Sequence, residues 1–255
     1  MSTHAVVNDS GSAGKTTTAV SLAALLAERG KDTLLIDNDP QGNATLFAGA
    51  EAVAGKTMAE VLLGERSLEE VIVPSAVKHL SVAPAMRSLN GAVVALTRDF
   101  GGEQRIRVAL EALTQHYDAV IIDCPGSASV LTVAGLVAAD TVLAVAQPTL
   151  KELEGLPALE ETITKIAGLY NPGLVLSAVI PCIVPPASAG ALYADGLAQM
   201  RELYGDLVTP PVRRSVRVPE AYSRRVPLTV YAPLEPTSFD YQTVLEDLFA
   251  RGVMP

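Results

Sequence analysis

Long apolar runs, clustered cysteines and a basic leader are all missing from this chain of 255 residues, and each absence removes a class of protein. No uninterrupted stretch of about eighteen apolar residues occurs. The longest candidate, Leu131 to Ala146, is broken by Asp140 and contains Thr and Gly, so it predicts helix, turn and strand. The N-terminus has no basic segment followed by an apolar core and a small-residue cleavage site, which predicts a cytoplasmic protein. Cys124 and Cys182 stand far apart without metal-ligand spacing, so buried reduced thiols are expected. Internal repeats and a disordered tail are absent too. A net charge of −9 repels nucleic acid on average, yet five of the nineteen Lys and Arg residues fall between Arg213 and Arg225. With 49% hydrophobic residues, the chain can bury a full core, and its length suits one α/β domain over residues 1–255.

Apolar residues recur at helical spacing from Thr16 to Arg29, through Val20, Leu22, Ala23, Leu25 and Leu26, and the pattern stops at Gly30. The runs TLLID (Thr33 to Asp37) and AVIID (Ala119 to Asp123) predict buried strands that end in acid. Further strands are expected at Ala5 to Val7, Leu80 to Ala83, Thr141 to Ala146 and Leu174 to Ile180. Helices are expected at Thr57 to Leu63, Leu68 to Val71, a segment ending near Thr114, Val130 to Ala138, Lys151 to Leu169, Ala191 to Tyr204 and Phe239 to Phe249. Helices alternating with nearly continuous apolar strands imply an α/β fold, with a mostly parallel, doubly wound sheet covered on both faces. Ligands of such sheets bind at the C-terminal ends of the strands, where Asp37, Asp123 and the segment around Ser10 converge.

That segment reads NDSGSAGKTTT, from Asn8 to Thr18. A phosphate loop wants Gly five residues before the Gly of Gly-Lys-Thr, so that bare N–H groups fold around phosphate oxygens; here the position holds Asp9. The rest of the loop is intact. Gly11, Ser12, Ala13 and Gly14 supply the nucleotide cradle, Lys15 reaches toward the β- and γ-phosphates, and Thr16 and Thr17 open the helix whose N-terminus favours anions. The Thr16 hydroxyl suits Mg²⁺ directly, and Asp123 suits a carboxylate that holds the metal through water. Asp37 and Asp39, in DNDPQGNAT, are expected to orient an attacking water or sense the γ-phosphate, with Asp37 also counted toward the metal. One such acid alone would more simply terminate a strand or cap a helix; the ordered set points to a Mg-nucleotide site.

The stretch from Asn8 to Thr45 resembles the ParA/MinD family of deviant Walker-A ATPases, whose loop is usually KGGxGKT and whose next strand ends in DxDPQ. YDAVIIDCPGSAS, LVAADTVLAVAQP, ELEGL and VRRSVRVPEAYSRRVPL extend the resemblance in the same order over nearly the whole chain. It implies a P-loop NTPase fold, ATP hydrolysis with ATP and Mg²⁺ as cofactors, and a homodimer formed around ATP. It also implies non-specific binding to double-stranded nucleoid DNA in that state, a nucleoid-associated location in the cytoplasm, and an adaptor protein that stimulates hydrolysis.

Departures from the pattern are informative. The first lysine of KGGxGKT, which in the family reaches the partner subunit's ATP, is Ser10, the second Gly is Ser12, and Pro125-Gly126 replaces Pro-Pro. Pro181-Cys182 stands where many relatives have a polar residue, which leaves the adenine contacts unassigned. Serine at the signature position is similar to the McdA type within the family, which spaces carboxysomes and in which a lysine from the C-terminal half serves instead. On that likeness Lys151, in QPTLKELEGL, is expected to supply the charge across the dimer; a solvated lysine at a helix start is the other reading. Carboxysome positioning with an McdB-like adaptor leads, plasmid or chromosome partition with a ParB-like adaptor is the alternative, and an ATP-switched scaffold that does not hydrolyse is a third reading.

Arg213, Arg214, Arg217, Arg224 and Arg225 are interleaved with apolar residues and a single acid, Glu220. Such a patch suits the DNA backbone without reading bases, the alternative being salt bridges to the chain's many acids. The C-terminal FDYQTVLEDLFARGVMP carries Asp240, Glu246 and Asp247 where a membrane-surface helix needs basic residues, so no membrane partner is expected.

Overall fold

The strand Ala119–Asp123 (β5) is apolar up to its final acid because both of its faces are covered: Ala119 and Ile121 enter one core layer, Val120 and Ile122 the other. The computed structural model of the chain describes residues 1–8, 13–98, 100–126, 129–186 and 191–255. In it β5 pairs with β1 (Ser2–Val7) on one side and β2 (Thr33–Asp37) on the other. Beyond β1 lie β6 (Thr141–Ala146) and β7 (Val175–Pro181); beyond β2 lie β4 (Leu80–Ala83) and β3 (Val73–Pro74). The sheet of seven strands runs β3-β4-β2-β5-β1-β6-β7, parallel except for the β3–β4 pair. This is the expected α/β architecture, and the shift of direction around β1 and β5 places the strand ends of both halves over one crevice.

One face carries α1 (Lys15–Glu28), α2 (Asn43–Phe47), α9 (Arg217–Ser223), α10 (Leu228–Tyr231) and α11 (Pro236–Ala250). The other carries α3 (Met58–Leu63), α4 (Leu89–Leu96), α5 (Arg105–Glu111), α6 (Val130–Ala138), α7 (Leu150–Leu169) and α8 (Ala191–Tyr204). Helix α1 is rich in Ala and Leu, buried over most of its circumference, and lies against β5 and α11 as the central prop of its layer. Each Leu or Ile fully buried in these layers contributes about 1.5–3 kcal/mol relative to exposure.

Several local expectations are corrected. Residues Leu68 to Val71 form a turn and no helix: Glu70 accepts hydrogen bonds from Ser67 N and Oγ, while neighbouring Glu69 reaches away to Thr114. The helix expected to end near Thr114 stops at Glu111, and Thr114 is held by Glu69 through both its amide and its hydroxyl. Strand β1 begins at Ser2, three residues before the apolar run, because His4 is accommodated inside the sheet by hydrogen bonds to Ser2 and Thr141.

The start of α7 is pinned by a close approach. A Cβ on Gly196 of α8 would lie 2.2 Å from the Pro148 carbonyl oxygen, so only glycine lets α8 pack against the turn that feeds α7. The first turn of α7, with Lys151 and Glu152, is thereby set at the C-terminal end of β6.

Candidate functional site

Three strand ends and one helix start build the site. In the β2–β5 ladder Asp37 and Asp123 are register partners, both fully buried. Thr16, in the first turn of α1, donates from Oγ1 to Asp123 Oδ2 at 2.8 Å. The other oxygen, Asp123 Oδ1, is buried with no hydrogen-bond partner among the described residues. Burial and then the neighbouring Asp37 charge push the Asp123 carboxyl well above the usual carboxylate range, with Thr16 acting in the other direction. An orphaned buried oxygen beside a hydroxyl and a second carboxylate, Asp39, is a hard-oxygen donor set of the kind that Mg²⁺ takes.

Gly14, at φ 98°, occupies the left-handed region that glycine tolerates, and turns the chain into α1. Lys15 follows, only 7% exposed. Its pKa is lowered by burial, against the opposing pull of Asp123, Asp39, Cys124 and Glu152. Ala13, Gly14, Lys15, Thr16, Thr17, Asp39, Asn43, Gly126 and Ile183 line a cavity of about 330 Å³. A second cavity of about 300 Å³ shares Gly14, Thr17 and Ile183 with it and extends under Arg213 to Pro219, Thr237 and Tyr241. The predicted cradle residues Gly11 and Ser12, and Ser10 beside them, lie outside the described residues.

Asp37 is placed differently from its neighbours. Its Oδ2 accepts from Thr45 N at 2.7 Å and Thr45 Oγ1 at 2.6 Å, and its Oδ1 accepts from Asp39 N at 3.2 Å. Burial raises its pKa to about 6 in spite of those bonds. Both oxygens are thus occupied in shaping the Asp39 to Thr45 turn, which α2 and the Thr45 bond to Ala85 N extend. Asp39 itself faces the larger cavity.

The matching family model is described as an AAA domain and covers residues 1–176. The sporulation initiation inhibitor protein Soj of Bacillus subtilis is 34% identical over 250 residues, spanning 97% of this chain and 98% of Soj. The chain belongs to the ParA/MinD-type P-loop ATPases. Among solved structures, an ATP complex of Cyanothece McdA superposes with a TM-score of 0.88 at 26% identity, covering 98% of this chain and 96% of McdA. Cobyrinic acid a,c-diamide synthase from Mycobacterium smegmatis, with bound ADP and magnesium, gives 0.85 at 29% identity, covering 100% of this chain and 98% of that one.

Within this ParA/MinD-type frame, Lys151 stands exposed at the ligand end of α7 and lines a small cavity with Asn8 and Glu152. The five arginines divide. Arg213 grips Asp240 of α11 with two guanidinium bonds of 2.7 and 2.8 Å plus a backbone N–H at 3.0 Å. Arg217 pairs with Glu220 at 2.7 Å and lies 4.0 Å from Glu235. Arg214, Arg224 and Arg225 form no ion pair among the described residues; Arg224 lies over the Tyr231 ring at 5.8 Å. Pro181-Cys182 does not open on the cavities: Cys182 is 1% exposed behind Gly14, its thiol pushed up to about 11 by burial, and Ile183 is the lining residue.

Residues that sequence reasoning missed are Asn8, Thr45, Glu152 and Tyr241. Tyr241 shares a hydrogen bond with Thr18 at 3.2 Å, under the start of α1. Each falls in a stretch quoted above, Asn8 in NDSGSAGKTTT, Thr45 in DNDPQGNAT, Glu152 in ELEGL and Tyr241 in FDYQTVLEDLFARGVMP, but neither residue type nor spacing singled it out.

Proposed function

We propose that this chain is an ATP-switched positioning ATPase: it binds Mg-ATP, dimerises around two nucleotides, holds nucleoid DNA in that state, and lets go when an adaptor stimulates hydrolysis. The observation that carries the reading is the Thr16–Asp123 pair with its orphaned carboxylate oxygen, set beside Lys15 at the start of α1. Thr16 and Asp123 hold the metal, with Asp39 toward the attacking water and Asp37 positioning Asp39 through the loop. A Mg²⁺ held by these residues would supply positive charge to offset the charge of the transferring phosphate. Lys15 and the amides of Gly11 to Thr17 hold the phosphates, and the cavity under Ile183 and Pro219 takes the base.

DNA binding is assigned to the arginine region, with Arg214, Arg224 and Arg225 as its available cations. The Tyr222 hydroxyl donates to Asn43 Oδ1 at 2.8 Å, so α9 is tied to the helix that follows the Asp39 turn. That tie supports coupling between nucleotide state and the arginines. Carboxysomes are the proposed cargo, on the McdA likeness and on Ser10 in place of lysine. Soj, similar over nearly its whole length, favours chromosome or plasmid partition as the second reading.

The test measures Mg-ATP turnover and solution mass by light scattering for wild type and Lys15→Ala. Turnover with an ATP-dependent dimer in the wild type alone is expected. An ATP-bound monomer without turnover overturns the reading, and a dimer without turnover leaves a non-hydrolysing scaffold. Purified McdB-like and ParB-like adaptors, added separately, assign the cargo by which one raises turnover.

A further inference from the structure

Just past the end of β7 the chain departs from a regular ladder. Val212 donates from its N–H to the Pro181 carbonyl at 2.7 Å, and its own carbonyl accepts from the N–H of Val184 at 3.0 Å. In regular parallel pairing one residue stands between those two partners; here two do, Cys182 and Ile183, so the chain carries a β-bulge. Bonds on both sides hold it: the Cys182 N–H donates to the Ala146 carbonyl at 2.9 Å, and the Arg214 N–H to the Val184 carbonyl at 2.8 Å. The two side chains diverge. Cys182 turns inward, 1% exposed, with its Sγ 3.5 Å from Thr18 Oγ1. Ile183 is half-buried and lines both cavities of the crevice, with Gly14 and Thr17 as the other residues on their common border. A Cβ on Gly14 would meet Ile183 Cγ1 at 3.8 Å, so this side chain lies within van der Waals reach of the turn into α1.

The backbone of Ile183 stands at φ 57°, a left-handed conformation that is strained for a β-branched residue. His79 and Arg225 are the other non-glycine residues with positive φ among the described residues, and neither is β-branched. Gly or Asn would hold the bulge with less strain. Such outliers gather at ligand clamps, where the surroundings over-determine them. Several polar side chains of the outer cavity are engaged within the protein: Arg213 with Asp240, Ser215 with Glu235 and Tyr241 with Thr18. Much of its wall is therefore apolar, from Ile183, Val212, Val216, Val218 and Pro219.

We propose that Ile183 is the residue by which the site distinguishes a nucleoside triphosphate from bare polyphosphate: the bulge aims its side chain at the border of the two cavities, where it packs against sugar and base. The inference rests on the ATP-binding reading above and adds a residue that senses the nucleoside instead of the phosphates. Apolar carbon gains from covering the faces of a sugar and base, and gains nothing from phosphate oxygens.

Mg-ATP and Mg-tripolyphosphate, which has the phosphates without a nucleoside, are titrated against full-chain wild type, Ile183→Asn and Ile183→Thr. Both variants should bind Mg-ATP roughly 5- to 20-fold more weakly, the worth of part of one apolar side chain, and tripolyphosphate within about 2-fold of wild type. Asn tolerates the left-handed region and β-branched Thr does not, so Ile183→Asn should unfold at a higher urea concentration than Ile183→Thr. Unchanged Mg-ATP binding in the variants, or an equal loss for Mg-ATP and tripolyphosphate, overturns the proposal. An unfolding midpoint of Ile183→Thr at or above that of Ile183→Asn removes the strain from it. Wild type that shows no saturable Mg-ATP binding overturns the ATP reading itself, an outcome separate from the ratio between variants.

Discussion

Thr16 Oγ1 donates to Asp123 Oδ2 at 2.8 Å, joining the first turn of α1 to the last residue of β5. The bond aims one carboxylate oxygen at the hydroxyl and leaves the other buried and unpaired. A fold optimised only for stability would not keep that oxygen, since an unsatisfied buried acceptor costs about 1–3 kcal/mol. Thr16→Ala is therefore expected to lower Mg-dependent ATP turnover roughly 10- to 100-fold, the range of one charge-assisted bond, while Thr16→Ser retains most of it. Steady-state turnover against Mg²⁺ concentration checks this; equal activity of the alanine variant would remove Thr16 from the metal site.

Two buried groups away from each other give opposite pH effects. His4 has its pKa lowered from 6.5 to about 4 by burial, countered only in part by Asp140. The unfolded chain therefore binds the proton more readily between those values. The stability owed to neutral His4 is complete above 6.5 and is lost as pH falls toward 4, about 3 kcal/mol in all. Asp37, raised from 3.8 to about 6, runs the other way: the folded chain takes its proton first, and stability rises as pH falls through that window. Denaturant unfolding of wild type and His4→Asn at several pH values separates them. The advantage of wild type over the variant should shrink between pH 7 and 4.5; a constant difference would show that His4 takes up its proton at the same pH in the folded and unfolded states.

The arginine region should split by partner. Arg213 is 58% exposed at its side chain but meets an Asp240 side chain only 10% exposed, in bidentate geometry. Arg213→Ala is expected to cost about 1 kcal/mol of stability, the upper part of the range for a partly exposed pair, with little change in the salt dependence of DNA binding. Arg225→Ala should leave stability unchanged and lower the slope of log affinity against log salt by about 0.9 for a lost phosphate contact. Fluorescence anisotropy with a random-sequence duplex in the presence of Mg-ATP measures both. A slope reduced by Arg213→Ala and not by Arg225→Ala would invert the assignment.

The features that sequence made legible are those set by local chemistry. TLLID and AVIID announce strands buried on both faces because every side chain before the acid is apolar, and Asp37 and Asp123 meet because parallel pairing brings equal ends together. Elements defined by distant contacts were not legible. Strand β3 has two residues and exists only against β4, and α9 takes its place through Tyr222 and Asn43, residues 179 apart. The same holds for the arginines: Arg213 reads as a free cation until Asp240, 27 residues on, is folded against it. Asn8 and Glu152 carry no mutual signal in sequence, because neither spacing nor periodicity relates a strand end to a helix start that far away.

Lys151 is where sequence likeness and geometry can be separated most cleanly. It is exposed, at the ligand end of α7, on a turn fixed by the Gly196 approach to Pro148. A lysine that only decorates a helix start contributes little, since exposed charges near a helix terminus are worth no more than about 0.3–1 kcal/mol. A lysine that reaches a partner's phosphates in a desolvated dimer contributes several kcal/mol, of order the loss seen when a preorganised donor is removed from a transition state. Lys151→Ala should thus bind Mg-ATP with nearly the wild-type dissociation constant, remain a monomer by light scattering where the wild type dimerises, and turn over ATP at least roughly 100-fold more slowly. Lys151→Arg, which keeps the charge but changes its geometry, should recover the dimer in part. Unchanged dimerisation and turnover in Lys151→Ala would return the residue to the solvent and leave the charge lost at Ser10 to be supplied from elsewhere in the chain.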